Sequence, residues 1–337
     1  MKDKLDFQKK FGTFVLDEFE FESGQVLEDV VVEYQTRGQP KFDEDGNIIN
    51  MVIYCPTIRG SQSIINDDKF NQGFSLILDD YFYVNITTLG APGSCSPSST
   101  GLKYKFPNYT FNDRINFKRK FLKEKFNITH VQGIVGEGLG GFEIFTWACE
   151  YPDEMEFLII LNSSYATNGF RYVLSEGISS MIEATDEYYS DVYSSSLTNV
   201  LISINKMLFS CYFPRRIFAN LSNDEIDFLM EEYVDECLFL DIYDFKIRND
   251  CILKYDVKDK LCNIRAKSLF VSTYDDVYFT PKLDTLPLKD LVKDSQVCLF
   301  ESKRNNYYDK EDYSEMRNVI LEFTTPFLEK MLKASKD

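Results

Sequence analysis

The run G-E-G-L-G-G at residues 136–141 is the part of the sequence whose spacing points most directly to chemistry. It follows a short apolar run and precedes a stretch with helical spacing. That context is typical of the G-x-S-x-G turn, which holds a serine hydroxyl above a helix N-terminus for attack on a carbonyl carbon. Gly136 and Gly140 occupy the two motif glycines, and Gly138 stands where the serine would be. The pattern therefore predicts that the turn is kept and that the nucleophile is absent.

The same glycines fit a second pattern. Gly136, Gly138 and Gly141 match the G-x-G-x-x-G spacing that cradles the pyrophosphate of a dinucleotide. That fingerprint usually opens a domain, and an acidic residue follows about 20 residues later. Here it lies in the middle of the chain, and Asn162 follows the next strand. We therefore predict no cofactor, while a redox protein remains a third alternative.

His130 is the only histidine in the chain. A serine nucleophile needs an imidazole beside it as general base. His130 precedes Gly138 by roughly eight residues, and a strand rises about 3.3 Å per residue, so the two should lie at opposite ends of the sheet. We interpret His130 as a structural or surface residue. A single histidine without a cysteine cluster also predicts that no metal is bound.

The composition limits the classes of partner. The net charge is −17, from 37 basic and 54 acidic residues, and a field of that sign repels nucleic acid and anionic lipid. No run of about 18 apolar residues is present, so the sequence predicts no membrane span. The N-terminus MKDKLDFQKKFG lacks the apolar part of a secretion signal. The eight cysteines contain no C-x-x-C pair, and we expect reduced thiols in a cytoplasmic protein.

The elements around the glycine run predict an α/β fold. A hairpin over residues 12–35 with a turn at Ser23-Gly24 precedes alternating strands and helices. This alternation is typical of a mostly parallel central sheet flanked by helices. Predicted strands cover 51–55, 81–86, 130–135, 157–161, 268–272 and 297–300, and predicted helices cover 111–126, the stretch from the glycine run to about 150, and 313–323, where Pro326 interrupts the helix.

The stretch from 164 to 258 has mostly helical spacing and is strongly acidic at 223–245. We interpret it as a helical cap inserted into one α/β core. The predicted division is therefore core 1–163, cap 164–258 and core 259–337.

Three further motifs resemble the homoserine O-acetyltransferase family of the α/β-hydrolase superfamily. The run G-S-C-S-P-S-S at 93–99 resembles the family's G-S-T-G-P-S-S loop. Phe106-Pro107 with T-F-N-D at 110–113 resembles its F-P-x-x-T-x-x-D segment, and Tyr151-Pro152-Asp153 resembles its helix-ending Y-P-D. The resemblance extends from about Phe11 to Leu328, and it implies an α/β-hydrolase fold with an inserted helical cap.

The family uses a Ser-Asp-His triad, and the resemblance assigns each position here. The serine position falls on Gly138. The aspartate position falls on Asp276, with Asp275 beside it, in the run D-V-Y-F-T-P. The histidine position falls on or near Asn306, and no histidine follows residue 130. By this resemblance Asp276 is the vestigial acid of a triad that has lost its other two members.

The resemblance also implies an oxyanion hole built from the backbone N–H groups of Ile58 and Leu139, which survive changes of side chain. Arg59 departs from the family, which has a small polar residue there. We favour the interpretation that Arg59 fills the vacated pocket by pairing with Glu137 or Asp276. The family's arginine for the acceptor carboxylate has no clear counterpart, since Arg171 is nearby but out of register.

Two main functions remain open. The first is a pseudoenzyme that binds a small molecule in the vestigial pocket or interacts with proteins, because losing either serine or histidine removes most triad catalysis. Because the family commonly dimerises through its cap, we expect a homodimer or pairing with an active paralogue. The second is an acyltransferase or hydrolase with relocated residues, for which the candidate nucleophiles are Cys55, Cys95, Ser94 and Ser96 and the candidate bases Asp275, Asp276 and Glu137.

Overall fold

A computed structural model describes residues 10–56, 80–190, 192–237, 240–301 and 310–334. Its strands are β1 Lys10–Glu20, β2 Val26–Arg37, β3 Met51–Cys55, β4 Phe82–Ile86, β5 Val131–Glu137, β6 Met155–Leu161, β7 Lys267–Thr273 and β8 Ser295–Phe300. Within this part of the chain they form one sheet in the order β1-β2-β4-β3-β5-β6-β7-β8. β1 and β2 form an antiparallel hairpin, β2 runs antiparallel to β4, and the remaining neighbours are parallel. The predicted α/β-hydrolase architecture is confirmed.

Helices lie on both faces of this sheet and above its carboxyl edge. They are α1 Phe111–Phe126, α2 Leu139–Glu150, α3 Gly169–Glu183, α4 Ser195–Phe209, α5 Arg215–Phe218, α6 Asn223–Cys237, α7 Ile242–Leu253, α8 Pro281–Asp284, α9 Leu288–Leu291 and α10 Lys310–Ala334. α1 has the bounds that its apolar spacing predicts, because Thr110 and Asp113 form a capping box at its start. Asn127 ends it in the left-handed conformation.

The stretch predicted as a cap is helical. α3 to α7 follow one another between β6 and β7, and residues of α3, α4 and α7 share an apolar cluster, which includes Ile182, Leu201, Ile204 and Tyr243. The exact limits of the cap remain a prediction.

The predicted interruption of the last helix at Pro326 is wrong, because α10 continues through this residue to Ala334. A proline removes one backbone hydrogen bond, to the carbonyl four residues earlier. That carbonyl belongs to Glu322, which is exposed and open to water. Beyond the proline, Met331 packs with Phe323 in the apolar cluster against the sheet. This packing offsets the cost of the proline.

A buried ion cluster lies between α1 and α2. Glu143 of α2 contacts Arg114 of α1 at 2.7 Å and is in closer contact with Lys118, and its side chain is only 1% exposed. Thr88 donates a third bond to Glu143 at 2.7 Å. Burial by itself would raise the pKa of Glu143, but the charges of Arg114 and Lys118 hold it below its usual range. Lys118 also lies 3.6 Å from the sulfur of Cys55, so the cluster connects both helices to the end of β3.

A second buried carboxylate fastens the cap to the core. Asp244 in the first turn of α7 accepts hydrogen bonds from the backbone N–H and the hydroxyl of Ser98. Burial raises the pKa of Asp244 to about 6, although the bonds from Ser98 act in the opposite direction. Keeping Asp244 ionised in this contact therefore lowers the free energy of unfolding at neutral pH, and protonation of its carboxylate would remove that cost.

Replacing Glu143 tests the ion cluster. Glu143→Gln leaves Arg114 and Lys118 buried without their carboxylate, and we expect a loss of about 3–5 kcal/mol in the free energy of unfolding, measured with urea. Glu124→Gln is the matched control, because Glu124 lies 3.9 Å from Lys120 on the surface, and it should cost less than about 1 kcal/mol. Equal losses in the two variants would show that the cluster is not a buried unit.

The pH dependence of stability tests the Asp244 contact. The pKa of Asp244 is about 6 in the folded chain against an ordinary value of 3.8, so the folded state binds the proton more readily. Its contribution to stability is complete below about pH 4 and is lost as the pH rises through 6, by about 3 kcal/mol for a shift of two units. Asp244→Asn should remove this contribution, which unfolding curves between pH 4 and 7 would measure. Parallel pH profiles for both proteins would contradict it.

Candidate functional site

The turn between β5 and α2 has the strained backbone that a nucleophile-bearing turn requires. Gly138 lies at φ 53° and ψ −120°, directly before the first residue of α2. Residues with a Cβ rarely adopt this conformation, whereas glycine adopts it with little strain. The shape of the predicted turn is therefore present, and its central residue has no side chain.

The two motif glycines allow the close approach of β5 and α2 to β3. A Cβ at Gly136 would lie 2.3 Å from the carbonyl oxygen of Cys55, and one at Gly140 would lie 2.0 Å from the same oxygen. Gly141 has a similar contact, since its Cβ would lie 2.2 Å from the hydroxyl oxygen of Ser163. Packing alone thus accounts for all three glycines.

Hydrogen bonds hold the turn to the neighbouring strand. The N–H of Gly138 donates to the carbonyl of Leu161 at 3.0 Å, and the hydroxyl of Ser163 donates to the carbonyl of Gly138 at 2.6 Å. The side chain of Asn162 then accepts from the N–H of Thr273 at 3.1 Å. These bonds connect the carboxyl ends of β5, β6 and β7, which bear the candidate residues.

Asp276 lies in the loop after β7, at the same edge of the sheet. Its side chain is 3% exposed, and one carboxylate oxygen accepts from the N–H groups of Tyr278 and Phe279, each at 2.8 Å. Two backbone donors fix the orientation of a carboxylate. The position that the resemblance assigns to the triad acid is therefore buried and rigidly held.

Two arginines of the cap are bonded to the loop of Asp276. Arg171 of α3 is buried, bonds both carboxylate oxygens of Asp284 at 2.7 and 2.8 Å, and donates to the carbonyl of Tyr278 at 3.0 Å. Arg216 of α5 forms an ion pair with Asp275. Both guanidinium groups thus hold the cap against the core, and Arg171 is engaged by Asp284.

Cys211 is a residue of this site that sequence reasoning missed. It follows α4, is 7% exposed and lies close enough to Asp276 for the carboxylate to contribute to its pKa. Burial is the main cause that raises the pKa of Cys211, and Asp276 raises it further. No local pattern could have revealed it, because the two residues meet only through the packing of the cap on the core.

Of the other sequence-predicted positions, some lie within the described residues and some lie outside them. Leu139 is the first residue of α2, where backbone N–H groups have no partner within the helix. Glu137 ends β5 and is half-buried. Ile58, Arg59 and Asn306 lie outside the described residues, so their predicted roles stay predictions.

The four candidate relocated nucleophiles are buried. The hydroxyl of Ser94 donates to the carbonyl of Thr87 and accepts from the N–H of Glu33, and the hydroxyl of Ser96 accepts from the N–H of Ser99. Burial raises the pKa of the Cys55 and Cys95 thiols to about 12 each. The two hydroxyls are therefore hydrogen-bonded within the protein, and the two thiols stay protonated at neutral pH.

His130 lies before β5, at the edge of the sheet away from Gly138, as predicted. One ring nitrogen is 2.9 Å from the carbonyl oxygen of Asp153, and the other is 3.4 Å from Glu156. A cavity of about 470 Å³ opens beside it, and an adjoining one of about 500 Å³ shares Ile128 and Thr129 with it. Neither is lined by Gly138 or Asp276.

Within the described ranges, no three His, Cys, Asp or Glu side chains lie close enough together to bind a metal ion. The helices of the same ranges are all too short or too polar to cross a bilayer.

Substitution by alanine tests the close approach at the turn. Gly140→Ala places a methyl group against the Cys55 carbonyl, and we expect it to lower the free energy of unfolding by at least about 2 kcal/mol. Gly177→Ala is the matched control, because nothing lies within 4 Å of its Cβ and it is inside α3. It should stabilise the chain by about 0.5–1 kcal/mol. Thermal unfolding of both variants measures these changes. An unchanged free energy of unfolding in Gly140→Ala would contradict this geometry.

The chain has relatives over most of its length, although no protein-family model matches it. It is 37% identical over 293 residues to a probable acyltransferase of Methanothermobacter thermautotrophicus, a match that covers 86% of this chain and 90% of the relative. It is 26% identical over 322 residues to a homoserine O-acetyltransferase of Haemophilus influenzae, with 82% and 86% covered.

Solved structures agree with these relatives on the fold. The acetyl esterase MekB superposes with a TM-score of 0.80 at 18% identity, covering 95% of this chain and 97% of that one. The sheet order, the strained turn at Gly138 and the carboxylate after β7 occur together in the chain. The chain therefore belongs to the homoserine O-acetyltransferase-like acyltransferases of the α/β-hydrolase superfamily.

Proposed function

We propose that the chain is a catalytically silent member of this family, whose role is to bind a small molecule or a protein partner. The observation that carries the proposal is Gly138 in the strained turn conformation. The turn presents a backbone where a serine hydroxyl would have to stand, and a glycine cannot be acylated.

The absence of a second imidazole supports the same proposal. His130 is the only histidine of the sequence, and the position assigned to the triad histidine is Asn306. His130 precedes β5, whose length of seven residues separates it from Gly138 by roughly 25 Å. A general base must lie within hydrogen-bonding reach of the proton it removes.

A binding role is supported by the ordered groups that surround the turn. Asp276 is held by two backbone N–H groups, and Arg171 and Arg216 fasten the cap to its loop. The N-terminus of α2 still directs backbone N–H groups and a partial positive charge toward the turn. Such a site suits a carbonyl or carboxylate group of a small molecule.

An acyltransferase that uses Cys211 is the second candidate. Its support is the proximity of this thiol to Asp276. Burial, however, raises the pKa of Cys211 and so keeps the thiol protonated at neutral pH, whereas the thiolate is the nucleophile. We therefore rank this function below the silent one.

Turnover assays separate the two candidates. We expect the chain to give no steady-state release of product above buffer with acetyl-CoA plus homoserine, or with an activated acetate ester, because it lacks both nucleophile and base. Gly138→Ser should remain inactive. Gly138→Ser with Asn306→His should gain little acetylation of homoserine, because the family's arginine for the acceptor carboxylate has no clear counterpart here and the nearby Arg171 is engaged by Asp284.

An active homoserine O-acetyltransferase, assayed in parallel, is the positive control. Turnover by the unmodified chain that disappears in Asp276→Ala would overturn the silent assignment. If Cys211→Ala abolished the same turnover, the second candidate would be correct.

A further inference from the structure

β1 is the outermost strand of the sheet that the described residues form, and it pairs there with β2 alone. Its other edge therefore carries backbone N–H and C=O groups that point away from the sheet. Besides its pairing with β2, the backbone of β1 forms one hydrogen bond with the described residues, from Lys120 of α1 to the carbonyl of Glu18 at 2.6 Å. That bond lies near the end of the strand, so the edge before it remains open.

The regular part of this edge covers residues 10–16. These residues pair without interruption with residues 36–30 of β2, whereas the pairing is interrupted at Asp17 and Asp29, and Asp29 lies at φ 52°. Such an interruption bends the strand, as a β-bulge does, and disfavours further pairing at its edge. The segment that can accept another strand is therefore 10–16, and Thr13 is its midpoint.

The outward face of this segment is uncharged. Phe11, Thr13 and Val15 alternate along it, and Phe11 and Val15 are 54% and 49% exposed. Val31 of β2 lies directly opposite Val15 and is 38% exposed. Edge strands that stay unpaired usually carry a charged residue, often lysine, at such positions. The chain therefore leaves this part of the edge without the usual protection against another strand.

A second copy of the same segment fits this edge in the antiparallel orientation. If the pairing is centred on Thr13, the threonines of the two copies lie opposite each other, and Phe11 of each copy lies opposite Val15 of the other. Threonine pairs and aromatic–β-branched pairs are among the cross-strand pairs that stabilise sheets. On the other face, Phe14 of each copy lies opposite Gly12, where an aromatic ring compensates for the missing side chain.

The charges at the two ends of the segment favour the same orientation. Lys9 and Lys10 stand at its start, and Asp17 and Glu18 follow its end. Antiparallel pairing brings the basic end of each copy to the acidic end of the other, whereas parallel pairing would bring like charges together. The net charge of −17 opposes contact between two copies elsewhere on their surfaces. Local complementarity therefore distinguishes this edge from the rest of the surface.

We propose that two copies of this chain associate through β1, with residues 10–16 pairing antiparallel about a twofold axis at Thr13, so that their sheets join into one. Because both copies use the same edge, the assembly closes at two and leaves neither edge open. The surface belongs to the hairpin of β1 and β2 and differs from the cap, through which the family resemblance implies a dimer. It does not depend on the proposed function.

Sedimentation velocity over a series of micromolar concentrations tests the proposal. We expect the unmodified chain to form a dimer that dissociates on dilution. Thr13→Lys should raise the dissociation constant at least about tenfold, because the two lysines would lie opposite each other at the axis. Val173→Lys is the matched control, since Val173 is 69% exposed on α3 of the cap, and it should dimerise as the unmodified chain does.

Crosslinking locates the contact. Cβ atoms of directly opposite residues lie about 4.5–5.5 Å apart, close to the spacing that a disulfide spans. Mild oxidation with copper phenanthroline should therefore link Thr13→Cys into a covalent dimer and leave Val173→Cys as a monomer. The unmodified chain, oxidised in parallel, corrects for Cys262, an exposed native cysteine.

Two results would overturn the proposal. One is a monomer at every concentration of the unmodified chain. The other is a dimer that Thr13→Lys leaves intact, whether or not Val173→Lys dissociates it. Melting temperatures of the two lysine variants equal to that of the unmodified chain would show that both fold, as their exposed positions predict.

Discussion

The contact of the carbonyl oxygen of Cys55 with the backbone of Gly136 and Gly140 is the constraint on which the rest of the structure depends. β3, β5 and the start of α2 can meet at this oxygen only if both positions lack a Cβ. This close contact fixes the position of the end of β5 and therefore the φ and ψ angles of Gly138. Hydrogen bonds of Leu161, Ser163 and Asn162 then link the turn, along the carboxyl edge of the sheet, to the end of β7, which precedes the loop of Asp276.

This constraint explains why the turn keeps its shape although its central residue has no side chain. A strained turn between a strand and a helix exposes the side chain of a central residue that has one, and the surrounding packing must compensate the strain. With glycine at 138 the strain falls, because glycine adopts this backbone freely. The ion cluster of Glu143, Arg114 and Lys118 beneath α2 meanwhile gives the turn a stability that does not depend on catalysis. Selection for folding alone could therefore preserve the turn.

Much of the fold could be predicted from the sequence, because its signals are local. The capping box at Thr110 begins α1, and the apolar runs mark β3, β5 and β6. The effect of Pro326 was mispredicted because the packing of Met331 on the sheet acts at a distance from the proline. Cys211 and the partner of Arg171 could not be found for a similar reason, since the cap brings residues together across some 65 and 113 positions of sequence. Site residues such as Asp276 were identified from a family resemblance, because no local residue pattern marks them.

We propose that no side chain at this site can carry an acyl group. Intact-mass spectrometry of the natively purified chain, quenched during incubation with acetyl-CoA or an activated acetate ester, tests it most directly. We predict that the mass stays that of the unmodified chain at every time point. A transient population bearing one acetyl group, mapped to Cys211 or to any residue around Gly138 and lost in Asp276→Ala, would contradict the account.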